Sequence, residues 1–239
     1  MKVRIGGLIK TSLIDFPGRI SSVLFFQGCN FRCGYCYNLD VVLPERFREP
    51  IPPEEIFEFL ERRKGLVDGV VLLGGEPLVQ PGIVEFADRL KRMGFLVKLD
   101  TNGSVFERLR EMVERKLVDY VAMDVKAPLD FQSYHKVTGC TKEAFRDVLR
   151  SIEFLKEDKV DYEFRTTLAP GLVEPEDILK IAEQLRGAKR YVIQNFFSQA
   201  PEYIDPNFKG KKSYPPWELE KLKEEIERKG FFKEVVVRK

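Results

Sequence analysis

The sequence predicts an α/β fold in which a curved parallel sheet wrapped by helices forms a partial TIM barrel, (β/α)6. Three observations carry this. Six short apolar runs, at residues 20–26, 69–73, 95–99, 120–124, 162–168 and 191–196, are rich in Val, Ile and aromatics, as strands buried on both faces of a parallel sheet are. Between successive runs lie segments with helical hydrophobic spacing, and such alternation implies right-handed crossovers. The chain has 239 residues, close to the ~250 at which α/β barrels form one unit. Residues 1–239 are therefore expected to be a single domain, with a core barrel over about 19–197 and an extension over 198–239.

Taken in order, Val3-Arg4-Ile5 reads as a short extended segment, Gly6-Gly7 as a turn, and Pro17-Gly18 as its close. The segment 53–63 opens with Pro-Glu-Glu and puts Ile56, Phe57 and Leu60 on one helical face. Residues 82–93, 104–116, 142–156 and 175–185 repeat that pattern. Ser104 and Glu107 have capping-box spacing, and Gly94 after Arg92-Met93 is a helix stop. Residues 198–216 break the alternation with Pro201, Pro206, Pro215, Pro216 and the basic cluster Lys209, Lys211 and Lys212; a loop of this length is either functional or a solvated linker. Residues 217–229 read as a charged helix and 231–238 as a terminal strand.

The chemistry is announced directly after the first core strand. Cys29-x3-Cys33-x2-Cys36 places three thiols within eight residues on a polar loop, and soft thiolates select iron–sulfur clusters, zinc or Cu(I). A structural zinc site takes four protein ligands, whereas three leave one position open. A zinc knuckle completed by His135 or Cys140 is the competing reading; knuckles usually space their cysteines as separated pairs. Otherwise Cys140 is a buried thiol packing as a small hydrophobe.

This triad, with Tyr35 before its last Cys, resembles the signature of the radical S-adenosylmethionine (SAM) superfamily. Gly7-Leu8-Ile9-Lys10-Thr11-Ser12-Leu13-Ile14-Asp15-Phe16-Pro17-Gly18, followed by Val23-Leu24-Phe25-Phe26-Gln27-Gly28-Cys29, resembles the activating proteins of anaerobic ribonucleoside-triphosphate reductase. The resemblance implies that Cys29, Cys33 and Cys36 bind a [4Fe–4S] cluster whose fourth iron is chelated by SAM. It also implies a glycyl-radical enzyme as protein substrate and a flavodoxin or ferredoxin-type electron donor.

The strand ends carry further matches. Gly74-Gly75-Glu76-Pro77 follows the second core strand, where glycines let backbone approach a ligand. It resembles the family's Gly-Gly-Glu-Pro motif, which binds the SAM amino group. Asp100-Thr101-Asn102-Gly103 and Asp124-Val125-Lys126 end the third and fourth strands; taken alone they are N-cap and turn chemistry. The resemblance assigns Asp100, Thr101 and Asp124 to a monovalent cation beside the SAM carboxylate, and Lys126 to SAM itself. Arg165, in mid-strand, matches a SAM-contacting Arg, with an ordinary salt bridge as the alternative. Gln194-Asn195 stands where some activating enzymes have a His near the adenosyl group.

A net charge of +2 gives no electrostatic case for nucleic acid or a membrane surface. Neither an 18-residue apolar run nor a signal-peptide pattern is present, so a cytoplasmic location is expected. The implied function is an iron–sulfur, SAM-dependent activase that generates a glycyl radical on anaerobic ribonucleotide reductase. The alternatives are a radical SAM enzyme acting on a small molecule or modified base, and a single-cluster electron carrier.

Overall fold

The structure is a computed structural model and describes residues 1–238. Its six core strands follow the apolar runs: β2 (Ser21–Phe26), β3 (Gly69–Gly74), β4 (Leu96–Thr101), β5 (Tyr120–Asp124), β6 (Asp161–Leu168) and β7 (Arg190–Asn195). They pair in parallel, each with the next in sequence. Two strands flank them. β1 (Ile5–Ser12) pairs antiparallel with β2, and β8 (Glu234–Arg238) pairs parallel with β7, so the unclosed sheet runs β1 to β8 in chain order. The expected Gly6-Gly7 turn is instead a register shift inside β1. A Cβ on Gly6 would meet the Gln27 side chain at 2.7 Å, so glycine is required by packing there rather than by chain reversal.

Helices α1 (Leu39–Val42), α2 (Pro53–Glu61), α3 (Ile83–Arg92), α4 (Phe106–Glu114), α5 (Phe131–Thr138), α6 (Lys142–Lys156), α7 (Pro175–Gln184) and α8 (Pro216–Lys229) complete the chain. The short α1 and α5 were not expected from apolar spacing. α5 is defined by its ends, with Asp130 accepting from the Ser133 amide and Gly139 in the left-handed region. The expected capping box on α4 does not form. The Ser104 hydroxyl donates to Asn102, and Glu107 pairs with Arg110 and Arg150. A capping box forms on α7, between Glu174 and Asp177.

The main core lies between the outer face of the sheet and the helices. The lumen is filled differently. Phe16, Val23 and Val71, with Phe25, Leu73, Leu96 and Tyr120, form an apolar plug on one side. On the other side inward residues of β4 to β8 are charged. Fully buried Glu163 takes two hydrogen bonds from Arg238 and one from Tyr120, stitching β5, β6 and β8 together. No helix among the described residues is long and apolar enough to cross a membrane.

Candidate functional site

Strand alternation decides which side chains reach the barrel mouth, because every second residue points inward. The mouth holds a cavity of about 430 Å³, within the range of small-molecule sites. Cys29, Cys33 and Cys36 line it, as do Gly74 and Gly75, Asp100 and Thr101, and Asp124, Lys126 and Arg165. Of the residues expected from sequence, Glu76 and Pro77 do not line it.

The cysteine loop is held by its neighbours' backbone. Gly28 donates from its amide to Val41 and accepts at its carbonyl from the Glu76 amide, at 2.7 and 2.8 Å. A Cβ on Gly75 would lie 2.1 Å from that Gly28 carbonyl oxygen, and one on Gly74, whose φ is +124°, would lie 2.4 Å from the Phe26 amide nitrogen. Gly75 is therefore demanded by the contact of the β3 turn with the cysteine loop, and Gly74 by its close approach to the end of β2 and its positive φ. On the far side the Arg32 amide donates to Thr138, tying the loop to the end of α5.

Glu76 is fully buried. It accepts from the Thr101 hydroxyl (2.8 Å), the Asn102 amide (2.7 Å) and the Leu78 amide (3.0 Å), and so locks the ends of β3 and β4 together. Burial pushes its carboxyl up to about 7 in spite of those donors. Asn102 continues the lock by donating to Asn30 in the cysteine loop, whose own amide group donates to Ser104.

Burial pushes the Cys29 and Cys33 thiols up to about 12, with Lys126 pulling against it at Cys33. Such thiols stay protonated until a positive charge arrives to neutralise them, as a bound metal would. Among the described residues no His, Cys, Asp and Glu are grouped closely enough to hold a single metal ion. Cys29, Cys33 and Cys36 all line one cavity, and three thiolate ligands suit a cluster that keeps one iron open. His135 turns to the Cys140 carbonyl at 2.8 Å, and the Cys140 thiol is buried.

A ladder of charge lines the opposite wall. Arg165 bridges two strands, donating from Nη1 to Asp100 Oδ2 (2.7 Å) and from Nε to Asp124 Oδ1 (2.9 Å). Lys126 Nζ takes Asp124 Oδ2 at 2.9 Å, and Lys98 Nζ takes Asp100 Oδ1. Burial alone would raise both carboxyls, but Arg165 with the lysines outweighs it and holds both below the usual carboxylate range. Burial pulls the Lys98 ammonium down while Asp100 holds it up. Lys98 escaped the sequence reading. Its signal was a lysine inside an apolar strand, two residues before Asp100 and hence on the same face.

The 198–216 segment also belongs to the site. The Ile204 amide donates to the Cys36 carbonyl and the Asp205 amide to that of Gly34, both at 2.9 Å. Phe208 packs edge-on against Tyr35. A Cβ on Gly34 would sit 3.3 Å from both Asp205 and Phe208, which is why the strap lies so close. Asn195 anchors it by donating to the Tyr214 carbonyl and accepting from the Tyr214 amide, while Gln194 lines the cavity. Lys211 turns inward to the Pro170 carbonyl, so only Lys209 and Lys212 of the basic cluster remain exposed. Tyr37 of the cysteine loop meets Phe197 beyond β7, with ring centroids 5.1 Å apart across the open side of the sheet.

A profile of the radical SAM superfamily matches residues 23–185, which contain the cysteine triad and every strand-end residue of the cavity named above except Gln194 and Asn195. The chain belongs to the radical SAM superfamily. A Methanocaldococcus jannaschii protein provisionally named a glycyl-radical enzyme activating enzyme is 36% identical over 211 residues, 87% of this chain and 85% of that one. The pyruvate formate-lyase-activating enzyme of Clostridium pasteurianum is 32% identical over 192 residues, 78% of this chain and 77% of that one. Among solved structures, Streptococcus suis SuiB bound to SAM superposes with a TM-score of 0.68 at 16% identity, over 88% of this chain and 48% of SuiB. A domain of a pyruvate formate-lyase-activating enzyme from Bacteroides vulgatus gives 0.55 at 16% identity, over 72% of this chain and 99% of that domain; at these identities the likeness is one of fold. These relatives place this radical SAM chain among the glycyl-radical enzyme activating enzymes, and its cofactors are those of the superfamily, a [4Fe–4S] cluster and SAM. Cys29, Cys33 and Cys36 fit the cluster. A further monovalent cation fits poorly, since each of the four oxygens of Asp100 and Asp124 already accepts from a protein cation.

Proposed function

We propose that this radical SAM protein generates a glycyl radical on anaerobic ribonucleoside-triphosphate reductase, with Cys29, Cys33 and Cys36 holding the cluster and the ends of β3 to β6 holding SAM. The observation that carries a macromolecular substrate is the rim of the cavity. Asp15 lines the cavity, and the two residues before it in the same turn, Leu13 and Ile14, are 73% and 86% exposed. Two adjacent apolar side chains turned to water beside an active cavity mark a surface that a partner covers. The choice of the reductase over other glycyl-radical enzymes rests on the match of residues 7–18 and 23–29 to its activating proteins. Residues 1–239 act in this reading as one domain.

With its cofactors bound, the site would supply reductive cleavage of SAM, the electron coming from an external donor through the cluster that Cys29, Cys33 and Cys36 would hold. The chain's part is orientation and exclusion of water. Backbone at Gly74 and Gly75 would face the SAM amino group and Lys126 and Arg165 its carboxylate, while Glu76 with Thr101 keeps the two strand ends in register. The open mouth would admit a glycine of the partner, whose Cα–H would be the hydrogen-atom source and whose Cα would carry the resulting glycyl radical. A flavodoxin or ferredoxin-type protein would be the electron donor in this reading.

The test mixes the reduced, cluster-loaded protein and SAM with the anaerobic reductase and, separately, with pyruvate formate-lyase. A glycyl-radical doublet in the electron paramagnetic resonance spectrum of the reductase is the expected result, absent with Cys33→Ala and retained with Cys140→Ala. A doublet on pyruvate formate-lyase alone would move the target to that enzyme. SAM cleavage with no radical on either would favour a small-molecule substrate.

A further inference from the structure

A salt-bridge ladder with an unequal number of rungs occupies the SAM-facing wall. Three cations, Lys98, Lys126 and Arg165, hold two carboxylates, Asp100 and Asp124, in the order Lys98, Asp100, Arg165, Asp124, Lys126. The side chains of Lys98 and Arg165 are only 2% and 9% exposed, so they cannot be neutralised by bulk water or salt. Glu163, the next inward residue of β6, does not cancel the surplus because Arg190 and Arg238 already face it. The two ends of the ladder differ. Lys98 is sealed beneath Asp100, whereas Lys126 lines the cavity.

We infer that Lys98 is a built-in counter-cation, so that this chain receives the carboxylate of SAM directly on Lys126 and Arg165 with no monovalent metal ion between them. The inference rests on the reading of this wall as the SAM carboxylate site. Physically, a metal ion needs oxygen ligands whose charge is still available, and here each carboxylate oxygen is already engaged by an ammonium or guanidinium. Adding a cation would raise the surplus of positive charge, while adding a carboxylate removes it. Lys98 can play this part because β4 alternation stacks it directly below Asp100, on the same inward face. Its ammonium occupies the lumen side of Asp100 Oδ1, which leaves the guanidinium of Arg165 on Oδ2. Lys98 is thus a positioning residue, acting on SAM through Asp100 and Arg165.

The experiment measures SAM affinity of the cluster-loaded protein by calorimetry in buffers whose only monovalent cation is potassium, sodium, lithium or choline. The wild-type dissociation constant should vary by less than about twofold across the four. In Lys98→Met, binding should weaken by about tenfold or more in choline and recover in potassium or sodium, because a small ion can then settle on the vacated Asp100 oxygen. Lys98→Arg keeps the charge and should stay indifferent to the cation. Wild-type binding that fails in choline and returns with potassium would overturn the inference, and this arm needs no variant to fold. A Lys98→Met protein that binds SAM with wild-type affinity in choline would overturn it too. If SAM binds in none of the buffers, the fault lies with the SAM site itself rather than with the role of Lys98.

Discussion

At the residue scale, Glu76 separates two uses of one motif. A carboxylate after two glycines at a strand end suggests a ligand for an ammonium, but the structure turns it onto Thr101, Asn102 and Leu78. Its pKa near 7 lies above the ordinary value of 4.5 because burial opposes the charge. The folded chain therefore keeps this proton longer than the unfolded chain. The resulting stabilisation is complete at low pH and is lost as pH rises through about 7. Relative to Glu76→Gln, which does not titrate, the wild-type protein should lose ~2 kcal/mol of unfolding free energy between about pH 5.5 and pH 8.5. Urea titrations of both proteins across that window check this, and a flat difference would show that the three donors, rather than burial, set the ionisation.

At the element scale, the strap from β7 to α8 is the unit that sequence described least well. Four prolines and a basic cluster suggest a solvated linker or a functional loop, and the structure shows Tyr203 and Phe208 buried with two strap amides bonding the cysteine loop. The strap backs the limb that carries Cys33 and Cys36, so loosening it should loosen the cluster. Phe208→Ala removes a buried ring from beneath Tyr35 and should cost ~3 kcal/mol locally. Iron release to a chelator from the loaded protein should accelerate several-fold, with faster amide exchange at Ile204 and Asp205. Iron release at the wild-type rate would mean that the cysteine loop holds its own shape.

At the scale of the whole molecule, the sheet is open and the elements that narrow its mouth come from both edges. Tyr37 and Phe197 meet there, and Arg46 reaches Glu202 at 2.5 Å between the same two segments. The exposed pair Leu13 and Ile14 belongs to the β1 side of this mouth. Replacing both by Ser should leave stability within about 0.5 kcal/mol, since neither is buried. Radical formation on the partner should slow by about tenfold or more, as for loss of an apolar anchor, while SAM affinity stays unchanged. Equal slowing of SAM binding would place these residues in the cofactor site instead.

The amino-acid sequence alone determined the six core strands, the longer helices between them and the three-cysteine loop, because apolar periodicity and cysteine spacing are local signals. Strand-end positions also brought Asp100, Asp124, Lys126 and Arg165 to one cavity in expectation, since parallel strands must all end on the same side. What only tertiary structure decided were contacts between segments remote in sequence. The strap's hold on Gly34 and Cys36, the turn of Glu76 away from the cavity, and the pairing of Lys98 with Asp100 beside Arg165 depend on packing and charge balance across strands. A single residue's type carries no record of which distant carboxylate will face it, so those features emerge only when the sheet curls and its inward faces meet.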